Sequence, residues 1–105
     1  MIELIEDNAT QAISRASELQ KIILLRGLPG AGKKTLASLL QLMEPGMTFH
    51  SAEHYWHDRP YDRTLVKAAH NACYEGTKAD LLAGKSVVVA NPFTRRWEVE
   101  KYLLL

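Results

Sequence analysis

Lys21-Ile22-Ile23-Leu24-Leu25-Arg26-Gly27-Leu28-Pro29-Gly30-Ala31-Gly32-Lys33-Lys34-Thr35 is an apolar run that stops in a glycine-rich turn and resumes as a polar start to a new periodicity. The first six residues suit a strand buried on both faces of a parallel sheet. The next nine meet the pattern G-x-x-x-x-G-K-[ST] at Gly27, Gly32 and Lys33 and leave it at Lys34, where a hydroxyl is expected. Glycines let successive N–H groups turn inward around an anion, and a following helix aims its positive end at the same point. Leu36, Leu39, Leu40 and Met43 supply that helix, until Glu44-Pro45-Gly46 ends it. The candidate phosphate-binding residues are therefore Gly27, Pro29, Gly30, Ala31, Gly32 and Lys33, with Lys34 and Thr35 beside them. Thr35 is the obvious substitute for the missing hydroxyl, but one residue along a helix turns a side chain by about 100°. It is expected to point away. Lys34 either stands where Mg²⁺ would sit or points to solvent.

With 105 residues, 47% of them hydrophobic and 24% charged, the chain suits one folded domain. Its net charge of +1 gives no general attraction to nucleic acid or to anionic membranes, so any such contact needs a local patch. A single cysteine, Cys73, excludes an intramolecular disulfide and a cysteine-based zinc cluster. No apolar run is long enough to span a bilayer and the N-terminus is acidic, so no membrane role and a cytoplasmic setting are expected.

Outward from the loop, Ile5, Ala9, Ala12, Ile13, Ala16 and Leu19 recur at helical spacing, with Asp7 or Asn8 as a cap; this predicts a helix over residues 1–20 ahead of a core at 21–105. Met47 to His50 reads as a second strand, followed by a loop or short helix over Ser51 to Asp58. Leu65, Ala69, Ala72, Cys73, Ala79 and Leu82 mark one face of a long helix closed by Gly84. Val87 to Ala90 is a third strand, Asn91-Pro92 a turn, and Arg95 onward a last helix. The order α-β-α-β-α-β-α predicts an α/β sandwich with a parallel sheet.

Five segments together resemble the polynucleotide-kinase-like branch of the phosphate-loop kinases. They are Arg26 to Lys33, Ser51-Ala52-Glu53-His54-Tyr55, Ala69 to Cys73, Val88-Val89-Ala90-Asn91 and Trp97-Glu98. The resemblance implies a minimal P-loop NTPase-type three-layer sandwich with a short parallel sheet. The third strand would lie between the first and second, leaving the first at an open edge. It also implies ATP or another nucleotide as ligand, with Lys33 and Glu53 as catalytic residues if the chain is active. Such kinases pass the terminal phosphoryl group of ATP to a hydroxyl, often the 5′-hydroxyl of a nucleic acid, and are common in bacteriophages.

The chain departs from that pattern where chemistry is done. Glu53 replaces the usual Asp at the end of the second strand and His54 follows it. Ala90 stands where the third-strand acid assists the metal. Pro92 and Phe93 follow Asn91, and the family's lid arginines have no counterpart unless Arg95 or Arg96 reaches the site. With Lys34 and Ala90 both changed, Mg²⁺ is not expected to matter. The expectation is a nucleotide-binding relative acting by binding, as a phage-type regulator or inhibitor of another protein; the alternative is a working 5′-hydroxyl kinase.

Other clusters have plainer readings. His54 and His57 with Glu53 and Asp58 suit a polar loop lining the cleft better than a zinc or nickel site. His70 and Cys73 are read as half-buried and core residues of the long helix. Tyr55, Trp56 and Tyr61 with Arg59, Arg63 and Lys67 could stack single-stranded bases, though packing explains them as well. An open first strand and the terminal Tyr102-Leu103-Leu104-Leu105 together predict a homo-oligomer or a protein partner.

Overall fold

The computed structural model describes residues 2–6, 11–16, 20–28 and 30–105. Five strands form one mixed sheet: β1 (Ile2–Glu6), β2 (Gln11–Ala16), β3 (Lys21–Arg26), β4 (Thr48–His50) and β5 (Val87–Asn91), in the order β1-β2-β3-β5-β4. β3, β5 and β4 run parallel, with Ile22 opposite Val87 and Thr48 opposite Val87 on its other side. The last strand in sequence is thus inserted between the other two parallel strands, as expected. Among the described residues three α-helices accompany the sheet: α1 (Lys33–Met43), α2 (Val66–Leu82) and α3 (Arg96–Leu103).

Alternation along the parallel strands builds two cores. Ile22 and Leu24 of β3 and Val87 and Val89 of β5 face α2 and α3, meeting Ala69, Cys73, Val99 and Tyr102. Leu25, Val88 and Ala90 face the other way, onto Ala37 of α1 and Met47. Both faces of β3 and β5 are covered, which is why these strands are continuous apolar runs. All five residues of β5 are buried.

The segment expected as an N-terminal helix holds an antiparallel hairpin at 2–6 and 11–16, with Leu4 opposite Ile13 and Ile13 opposite Leu24. Its alanines satisfy helical spacing, but β3 would otherwise leave a row of buried-strand N–H and C=O groups unpaired on that side. Pairing β2 along β3 satisfies them, a tertiary demand that overrides local propensity. Ala12 joins the α1-side core while Ile13 packs on the α2 side, the period of two that a strand requires. The expected cap Asp7-Asn8, and Ala9 and Leu19, lie outside the described residues. The sheet is consequently mixed, not the short parallel one expected, and β3 is not an open edge.

The buried face of α2 also differs from the expected one. Ala69, Cys73 and Thr77 face the sheet, while Ala72, Ala79 and Leu82 lie in solvent. Thr77 tolerates full burial because its hydroxyl donates to the Cys73 carbonyl at 2.8 Å. Gly84 ends the segment with φ 82°, its N–H donating to Leu81, as a glycine C-cap should. At the C-terminus Tyr102 is 2% exposed, and Leu103 and Leu105 pack on the chain's own core, so only Leu104 remains exposed. The apolar surface that predicted association is largely satisfied within the chain. Among the described residues no helix is long and apolar enough to cross a membrane.

Candidate functional site

Because β3, β5 and β4 are parallel, the chain segments leaving their C-terminal ends meet along one edge of the sheet. Those segments are the glycine loop after β3, Ser51 onward after β4, and Asn91-Pro92 at the end of β5. They enclose a cavity of about 670 Å³, within the usual range for small-molecule sites.

The loop is shaped by two left-handed glycines, Gly30 with φ 85° and Gly32 with φ 94°. Ala31 N–H donates to Leu28 at 3.1 Å, tightening the turn, and Leu36 N–H donates to Gly32 at 3.0 Å, starting α1. Gly32 caps α1 without any side-chain bond, and no acid stands in the first turn. The helix's positive end therefore remains uncompensated by its own side chains.

Of the residues singled out in the sequence, Gly30, Gly32, Lys33, Lys34 and Thr35 line this cavity together with Glu53, Ala90 and Asn91. Thr35, expected to turn away, also reaches the cavity, which wraps around the first turn of α1. Gly27 and Ala31 shape the loop without lining the cavity, and Pro29 lies outside the described residues. The Lys33 ammonium donates to the Gly27 carbonyl, closing the loop on itself. Burial pulls the Lys33 pKa down, and the Glu53 carboxylate opposes that fall. Glu53 belongs to a short 3₁₀ turn over Ala52–Trp56, capped by the Ser51 hydroxyl, which accepts from Glu53 N–H at 3.2 Å.

Asn91 has a structural task. Its Oδ1 accepts from Ala52 N–H at 2.9 Å, and its amide donates to Cys73 Sγ at 3.6 Å. One buried side chain thereby ties the end of β5 to the Glu53 turn and to α2. Cys73 is a core residue whose thiol is pushed up in pKa by burial. Ala90 leaves the end of β5 without an acid. Arg95 and Arg96 do not line the cavity; Arg96 pairs with Glu100 at 2.7 Å on the solvent side of α3. No lid arginine is supplied from there.

Rings line the part of the cavity built by residues 49–70. Phe49 meets His54 edge-on at 4.8 Å, His54 meets His57 at 5.1 Å, and Trp56 meets Tyr61 at 4.9 Å. All five line the cavity, as does the half-buried His70. Burial first, then the neighbouring His57 and His50, pulls the His54 pKa down against Glu53, favouring a neutral ring. Arg59 lies over Tyr55 at 3.9 Å and pairs with Asp58, outside the cavity. Among the described residues no group of three or more His, Cys, Asp or Glu side chains is arranged to hold a metal ion.

A pair absent from the sequence reading anchors β4 behind this wall. His50 Nε2 and Asp80 Oδ2 lie 2.6 Å apart. The His50 ring occupies space that only a glycine at 76 leaves open, since a Cβ there would come within 2.9 Å of Cε1. Asp80 and Gly76 are one helical turn apart on α2, the spacing that puts both on one face. Compared with models of protein families and with solved structures, the chain matches none.

Proposed function

We propose that the protein binds a phosphate-bearing ligand, a nucleotide such as ATP, at this cavity and acts by binding, as a regulator would. The observation that carries this reading is the convergence of Gly30, Gly32, Lys33 and Lys34 with the uncapped start of α1 on one cavity wall. N–H groups, a helix start and two ammonium groups form a corner complementary to phosphate. The strand order β3-β5-β4, with the glycine loop after β3, supports the finer reading of a minimal P-loop NTPase-type domain. In this reading the hairpin β1-β2 takes the place of further parallel strands.

Lys34 and Ala90 replace the groups expected to organise a metal, so affinity should be nearly equal in Mg²⁺ and in a chelator. Calorimetric titration of ATP under both conditions tests this. Equal, measurable affinity supports the reading; absence of any binding overturns it. One observation favours a phosphotransferase instead: Glu53 stands in the same cavity as Lys33 and could accept a proton from an attacking hydroxyl. Steady, Mg²⁺-dependent phosphate transfer from ATP to a 5′-hydroxyl oligonucleotide would establish that alternative.

A further inference from the structure

We infer that the ligand is a single nucleotide lying along the sheet edge, its phosphates at the glycine loop and its base on the ring-lined wall around Trp56 and Tyr61. The inference rests on the phosphate reading above and adds the identity and direction of the rest of the ligand.

The cavity is asymmetric. Its two lysines, Lys33 and Lys34, belong to α1, whereas every aromatic or imidazole ring that lines it comes from residues 49–70. A ligand anchored by phosphate at the loop and filling the cavity meets those rings. Trp56 and Tyr61 lie 4.9 Å apart with planes inclined at 57°, so their faces are splayed instead of stacked on each other. Tyr61 is 67% exposed, so its face is open to a planar group. Any base presents a π-face to such a wall. The volume suits one nucleotide.

A strand of nucleic acid fits less well. Tracking a backbone needs cations spaced beyond the first phosphate. Arg59 is committed to Asp58 and Tyr55, and neither Arg63 nor Lys67 lines this cavity.

The test compares ATP, inorganic tripolyphosphate and a 5′-phosphorylated oligonucleotide by calorimetry on the full chain, with tryptophan fluorescence as a second signal. ATP should bind about tenfold more tightly than tripolyphosphate, the contribution of one stacked base. Tyr61→Ala and Trp56→Ala should remove most of that ratio while leaving tripolyphosphate affinity within about twofold, and Trp56→Phe should retain it. Tyr61 is exposed, so its variant reads out the wall even if the Trp56 variant does not fold. Equal binding of ATP and tripolyphosphate to the wild type would overturn the base site and leave the phosphate site standing. Binding of neither would overturn both. An oligonucleotide that binds more tightly than ATP would overturn the single-nucleotide assignment in favour of a strand.

Discussion

At Gly76 a single methyl group would decide how β4 is held. A Cβ there meets the His50 ring at 2.9 Å, and that ring is clamped by Asp80. Alanine gains about 1 kcal/mol over glycine inside a helix, while forcing the ring aside costs about 1–3 kcal/mol. Gly76→Ala should therefore be neutral to destabilising in the wild type and stabilising in a His50→Ala background. Urea unfolding of the four proteins checks this; the same sign in both backgrounds would refute the contact. Asp80 is also acid-sensitive. Its pKa is held below the usual carboxylate range, first by the hydrogen bond from His50. A depressed carboxyl stabilises the fold above its unfolded pKa and loses that contribution as pH falls through the folded value. Asp80→Asn should flatten this acid-side loss in a stability–pH profile. For Lys33, removal of a charge-assisted contact should weaken ATP binding by about 1.5–3 kcal/mol, measured with Lys33→Ala. Because burial lowers its pKa, the wild-type affinity should decline on the alkaline side before an ordinary lysine would lose its proton.

The hairpin β1-β2 is the element whose role can be tested most directly. Ile13 packs on the core opposite Leu24, so Ile13→Ala should cost about 1–3 kcal/mol, less than a fully buried position, visible as a lower thermal midpoint. An N-terminal segment that contributed only a detachable helix would leave the midpoint unchanged. The hairpin was hidden in the sequence because alanines at 9, 12 and 16 satisfy a helical period. The demand that overrides them, the unpaired side of β3, is a property of the assembled sheet. The elements at the cavity were legible for the opposite reason. Lys21 to Arg26, the glycine loop and α1 each carry their own local signal, and Gly84 announces the end of α2. The buried face of α2 is not legible from hydrophobic spacing because its buried column includes Thr77, whose hydroxyl is satisfied by its own helix. His50 and Asp80 are 30 residues apart, with no periodicity to link them. Of the candidate site, the glycine loop and its two lysines were readable from spacing; the ring wall was readable only as a cluster, since its orientation depends on where the 3₁₀ turn docks.

In the molecule as a whole, the C-terminal segment joins the core through buried Tyr102 and through Leu103 and Leu105, which pack against it, while Leu104 stays exposed. Deleting residues 102–105 should lower the stability of the isolated chain. Denaturant unfolding measured with light scattering separates that result from a loss of association at unchanged stability. The insertion of β5 between β3 and β4 also has a consequence in time. Lys21 N–H closes on Ser86 Oγ across 65 residues, and β5 then contributes Asn91, the clip between the Glu53 turn and α2. On a ribosome β3 and β4 emerge long before the strand that joins them. Such long-range parallel pairing is slow and leaves apolar edges open meanwhile. The nascent chain carries its glycine loop early but has no cleft beside it until Asn91 arrives, so any ligand held there would stabilise the finished fold and could not template its beginning.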